Sequence, residues 1–274
     1  MEPSLVIALL LAVLVGVSLG LLGGGGSILT TPILTYVLGM EPRAAIASSL
    51  FIVGATSAFG LIAHARAGRV RWKTGAIFGV AGMAGAFVGG VFGGMIPGAV
   101  LMILFAGMMI ATAVAMIRGR ARRPAAEGGA EAAPESGAEA GAARSSGRPL
   151  VRILIDGLLV GLATGLVGAG GGFLVVPALN LLGGLPMAVA VATSLLVIAM
   201  KSASGFAGYL LAVQIDWPTV LAFTAVAIAG SLLGARLAGR VPERALRRGF
   251  GIFVLAMGAF VLVQEIPNAL AGLA

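Results

Sequence analysis

Apolar residues fall in eight runs, at positions 5–38, 44–63, 72–95, 98–117, 150–182, 187–213, 217–235 and 249–263. About 20 apolar residues in a helix cross a hydrocarbon core of about 30 Å, and most of the runs match that length. The runs at 5–38 and 150–182 are too long for one ordinary span. Each is interrupted by glycine: Gly23, Gly24, Gly25 and Gly26 in the first, Gly168, Gly170, Gly171 and Gly172 around Ala169 in the second. A glycine costs a helix interior up to about 1 kcal/mol relative to alanine, so both clusters predict a broken helix.

The pattern repeats. Pro32 and Pro177, Trp72 and Trp217, and Pro97 and Pro242 are all 145 positions apart, with no gap needed. The same offset pairs Gly16 with Gly161, Gly20 with Gly165, Ser49 with Ser194, Leu50 with Leu195, Gly60 with Gly205, Gly85 with Gly230 and Gly89 with Gly234. Paired tryptophans and prolines in one register predict a duplication, with membrane repeats at 1–117 and 150–274. The segment 118–149 differs: a cluster of Arg118, Arg120, Arg122 and Arg123 leads into an Ala/Gly/Glu stretch with Pro124 and Pro134. It lacks the apolar content of a core and reads as a disordered linker.

Composition agrees with the runs. Hydrophobic residues make up 59% of the chain and charged residues only 10%, where a soluble domain carries about a quarter. The net charge of +8 is carried by residues between apolar runs without aromatic interleaving, which argues for cytoplasmic loops and against a nucleic-acid partner. No cysteine is present, which excludes disulfides and thiolate chemistry. Residues 2–22 are apolar like a signal peptide but have no basic leader and run into a motif repeated later, so the segment is expected to be retained.

Loop charge predicts orientation. Arg66, Arg69, Arg71 and Lys73 follow the second run, whereas the matching turn at 213–217 has no basic residue. The next turn, 93–98, has none, and its counterpart holds Arg236, Arg240, Arg244, Arg247 and Arg248. Equivalent loops therefore face opposite sides under the positive-inside rule. That requires an odd number of crossings per half, which follows if the glycine-broken run enters and leaves on one side as a hairpin. The expected fold is an all-α polytopic membrane protein of two inverted repeats, each a glycine-broken helical hairpin plus three transmembrane helices. Both termini are then outside and the linker is cytoplasmic, in a plasma membrane of bacterial or archaeal type. This places 16 of the 18 basic residues at the cytoplasmic side and leaves over Arg43 and Lys201.

The breaks are the first candidate chemistry. Non-helical backbone at membrane depth must be satisfied by protein or water, and a new helix opening at Ser27 or Gly172 directs N–H groups and a positive dipole end at a suitable anion. The alternative is that these small residues serve close helix packing, as Gly79, Gly82, Gly85 and Gly89 are expected to do. Pro32 and Pro177 limit or kink the return helices. Ser48 and Ser49, matched by Thr193 and Ser194, offer hydroxyls to the same anion, or bond back to carbonyls of their own helix. Lys201 lies deep in an apolar run with no evident buried carboxylate partner, where an ionisable residue is a functional hypothesis by default. It would neutralise an anionic substrate or titrate. Its counterpart is Thr56. His64, the sole histidine, stands beside the basic turn and is expected at the interface, and Trp72 and Trp217 fit interfacial anchors.

In these residues the chain resembles the TauE/SafE sulfite exporter family. The likeness rests on the segment from Gly20 through Gly23–Gly26 and Ser27 to Pro32, on Ala47-Ser48-Ser49, and on the echoes from Gly165 to Pro177 and at Ala192-Thr193-Ser194. It covers nearly the whole chain except the linker, and Lys201 is not mapped to a motif of the family. The resemblance implies a secondary transporter of a small anion, such as sulfite, an organosulfonate or a related oxyanion, without a bound cofactor or metal. Coupling to a proton or sodium, the direction of transport and the oligomeric state are left open. A channel is the nearest rival reading, followed by a membrane assembly subunit. An enzyme is disfavoured: there is no HExxH and no visible nucleophile–base pair.

Overall fold

The computed structural model describes residues 3–22, 26–118, 150–167, 172–179, 184–237 and 243–271. Among them the fold is all helix, with no strand. The order is α1 (Pro3–Leu22), α2 (Gly26–Pro32), a π-helical turn (Ile33–Val37), α3 (Pro42–Arg66), α4 (Trp72–Met95), α5 (Gly98–Arg118), α6 (Leu150–Val167), α7 (Gly172–Pro177), α8 (Met187–Tyr209), α9 (Trp217–Leu237) and α10 (Glu243–Ala271). Five of these, α1, α3, α4, α8 and α9, are long and apolar enough to cross a membrane. Large apolar side chains such as Leu10, Val80, Phe92, Leu159 and Leu211 are exposed on the outside, as a lipid-facing surface requires.

Each overlong run forms two helices on either side of its glycines, α1 and α2 in the first and α6 and α7 in the second, and the second member packs back on the first. Ile33 and Leu34 share one buried cluster with Ala8, Ala12 and Val15, so the π turn lies along the early part of α1. Pro32 causes the widening: it has no N–H to donate, and its ring crowds the carbonyl four residues back. Pro177 does the same ahead of Ala178 and Leu179. Gly39 and Gly184, again 145 apart, then end the return segments at φ +65° and +68°, a left-handed conformation open to glycine. Matching backbone bonds close both turns, Met40 N–H to the Leu34 carbonyl at 3.0 Å and Leu185 N–H to the Leu179 carbonyl at 3.1 Å. Glu41 caps α3 by accepting from Ala44 N–H at 3.2 Å, with Pro42 in the first turn.

Small residues decide which helices adjoin. On α4, Gly82, Gly85 and Gly89 lie against Gly157, Leu158, Leu162 and Gly165 of α6 so closely that a Cβ would meet backbone or the Lys201 stem. Gly75, Gly79 and Gly90 face Thr193, Met200 and Gly205 of α8, so α4 and α8 run parallel. The counterparts do likewise: Gly230 and Gly234 of α9 lie against Val13 and Val17 of α1, as Gly85 and Gly89 lie against Leu158 and Leu162. The equivalent helices α3 and α8 meet in the opposite sense. Leu50 lies on Gly205, Gly54 on Ser202 and Leu195 on Gly60, which makes them antiparallel. Arg43 is accounted for at a helix end, where its Nε donates to the Ile96 carbonyl at 2.9 Å.

Candidate functional site

Gly26 opens α2 and Gly172 opens α7, while Gly23, Gly24, Gly25, Gly168, Gly170 and Gly171 lie outside the described residues, as does most of the linker. The two short helices touch each other. Ile28 of α2, Val176 of α7, Val167 at the end of α6 and Val191 of α8 belong to one buried cluster, backed by Phe105 and Met109 of α5. Tertiary packing thus brings the segments following the two breaks together. Ser27 is fully buried in the first turn of α2.

α2 packs on α3, and this half of the molecule holds hydroxyls with unused bonding capacity. Thr31, Ser48, Ser49, Thr56 and Ser57 are buried, and their hydroxyl oxygens have no hydrogen-bond partner among the described residues. A buried hydroxyl left unpaired costs about 1–3 kcal/mol. Ser48 and Ser49 therefore do not use the helix-carbonyl bond that was the alternative reading of them. In the second half that alternative holds in part: Ser194 donates to the Val191 carbonyl at 2.7 Å. Thr193 Oγ1 accepts from Arg71 N–H at 3.1 Å, which ties α8 to the start of α4.

Lys201 is 1% exposed and among the largest fully buried side chains. Its stem lies on Gly82, and its Nζ donates to Thr164 Oγ1 at 3.0 Å. Thr164 in turn donates to the Gly161 carbonyl at 3.1 Å and stands one helical turn before the second glycine break. No carboxylate pairs with the ammonium among the described residues. In the other half the counterparts are Thr56 and Leu19, and buried Leu19 packs with Val53, Leu195 and Ile198. The lysine site is therefore built in one half only. A buried ammonium without a counter-ion is costly in apolar surroundings, and an anion placed beside it relieves that cost.

Three features go beyond the sequence expectations. His64, beside the basic turn, is 2% exposed and turned into the helix packing, with Nε2 3.3 Å from the Gly20 carbonyl. Thr164 carries no signal in the sequence, since its counterpart is leucine and the repeat draws no attention to it. Glu265 is a buried carboxylate beyond the last apolar run. α10 continues to Ala271 and carries it against α2's π turn, where it accepts from the Tyr36 hydroxyl at 2.7 Å.

Comparison with known proteins agrees with this membrane architecture. The family model "Sulfite exporter TauE/SafE" matches residues 8–261. A "Probable membrane transporter protein" of Xylella fastidiosa (strain 9a5c) is 37% identical over 271 residues, covering 98% of each chain. "Probable membrane transporter protein YunE" of Bacillus subtilis (strain 168) is 27% identical over 96% of this chain and 99% of its own length. No solved structure matches. These relatives are described as transporters, a class that is generally not enzymatic. A chain whose described residues build helices of membrane-spanning length, matched by this model over nearly its whole length, belongs to the TauE/SafE sulfite exporter family of integral membrane transporters.

Proposed function

We propose that this protein is a secondary transporter of a small anion, in the class of sulfite, organosulfonates and related oxyanions, working by alternating access between two inverted halves. The observation that carries the anion reading is Lys201: a buried lysine amine with no carboxylate partner among the described residues, held on Thr164 one turn from the second glycine cluster. The unpaired hydroxyls of Ser48 and Ser49 and the backbone N–H groups at Gly23–Gly26 with Ser27, and at Gly168 and Gly170–Gly172, would complete the anion's coordination, with Thr193 and Ser194 shaping the second side. The antiparallel packing of the equivalent helices α3 and α8 supports the inverted reading, in which each half is a broken hairpin plus three spans, the basic turns are cytoplasmic and both termini are outside. A proton or sodium ion is the candidate coupling partner.

Counterflow in proteoliposomes tests the proposal. Vesicles loaded with unlabelled sulfite should take up labelled sulfite faster than empty ones, with saturation, and Lys201→Met should abolish the uptake while inserting normally. A non-saturable flux without counterflow would point to a channel. Undiminished uptake by Lys201→Met would remove the lysine from the mechanism.

A further inference from the structure

The polar rings of His64 and Tyr209 are separated by the same 145 positions as the repeat, although they differ in kind. His64 stands in the last turns of α3, and its Nε2 lies 3.3 Å from the Gly20 carbonyl of α1. Tyr209 ends α8, and its hydroxyl donates to the Leu166 carbonyl of α6 at 2.6 Å. A carbonyl only accepts, so the histidine proton is on Nε2, and Nδ1 is left buried without a partner among the described residues. Both acceptors belong to the last four residues of a helix, where carbonyls have no intrahelical donor. In water such groups are hydrated, whereas inside a bilayer they need a protein donor. Each of these two helices leads directly into a glycine break.

Space has been made for the second ring: a Cβ on Gly93 would collide with the Tyr209 hydroxyl. Position 238, the counterpart of Gly93, is alanine, and at position 64 the ring is the shorter imidazole. At matched positions a polar ring thus reaches a carbonyl in the last turn of the preceding helix, Gly20 in one half and, one position past the counterpart of Gly20, Leu166 in the other.

We propose that His64 and Tyr209 are matched positioning residues, each tying down the last turn of the helix, α1 or α6, that precedes a glycine cluster. The tie itself stands on the contacts above. Its importance for transport rests on the reading of the breaks as the anion site.

Because the chain has no cysteine, single thiols at Leu21 and Val167 report on the two helix ends in the full-length protein. Tyr209→Phe keeps the ring and removes one hydroxyl; it should speed maleimide labelling of Val167→Cys about ten-fold and leave Leu21→Cys unchanged. His64→Leu should do the reverse. His64→Gln, which keeps an N–H donor, should return labelling at Leu21→Cys close to the parent rate, a rescue that ring packing alone would not produce. For sulfite uptake in proteoliposomes, Tyr209→Phe should raise the half-saturation concentration more than it lowers the maximal rate. Unchanged labelling in folded Tyr209→Phe and His64→Leu proteins would overturn the proposal. Faster labelling with unchanged uptake would support the ties and count instead against the breaks as the anion site.

Discussion

Lys201 Nζ and Thr164 Oγ1 stand 3.0 Å apart, joining α8 to α6 one helical turn ahead of the second glycine break. Thr164→Val keeps the shape of the side chain and removes the acceptor from the buried lysine. A buried donor left without its partner costs about 1–3 kcal/mol, so this variant should melt at a lower temperature in detergent and lose most anion uptake. Thr164→Ser should keep both. A valine variant matching the parent in melting and uptake would show that the hydroxyl is not needed by the lysine.

Close helix approach makes an equally specific claim. A Cβ at Gly85 meets the backbone of Leu158, and one at Gly230 meets the backbone of Val13. Neither neighbour is a flexible side chain that can swing away. Gly85→Val and Gly230→Val should each destabilise by about 1–3 kcal/mol or more, read as reduced melting temperature or loss of inserted protein. Gly107, also in a helix, has nothing within 4 Å, so Gly107→Ala should be neutral or gain up to about 1 kcal/mol.

The sense in which α3 meets α8 can be tested by cross-linking. An ideal Cβ on Gly54 lies 3.1 Å from Ser202 Cβ, slightly inside the usual disulfide range of about 3.5–4.5 Å. Gly54→Cys with Ser202→Cys should therefore join on mild oxidation after a small adjustment. The pair Gly60→Cys with Gly205→Cys joins equivalent positions, which antiparallel packing keeps apart, and it should remain reduced. The opposite result would require the two helices to run parallel.

Orientation is a separate expectation. Met95 and Gln214 are exposed at the ends of α4 and of the turn after α8, and Arg69 lies in the basic turn after α3. Single cysteines at 95 and 214 should react with an impermeant maleimide from outside intact cells, and a cysteine at 69 only after lysis. Protection of 95 and 214 in intact cells would reject termini placed outside.

Some of this site was legible along the chain. Lys201 stood out because an ionisable residue deep in an apolar run is costly wherever it lands, and the glycine clusters stood out because they are poor helix formers. Thr164 did not stand out, because a threonine in an apolar helix is ordinary until its neighbour is known. Glu265 was missed because an acid two residues past an apolar run reads as solvated, whereas α10 extends beyond it and places it on Tyr36. His64 and Tyr209 escaped the comparison of halves because the repeat was recognised by identical residues, while their equivalence lies in donating to the same kind of helix end.

By itself the sequence determined the membrane class, and it carries the 145-position matches and the two glycine clusters from which a duplication and two helix breaks are expected. These follow from transfer energies and backbone propensities that act locally. Only the tertiary structure decided that α4 lies beside α6 and α8 and that the segments after the two breaks touch. Between helices in lipid the contacts are non-directional packing of small residues, and many glycines along these spans could have served any partner. The choice among them is made by the fit of whole surfaces, and it is that fit which sets Lys201 on Thr164.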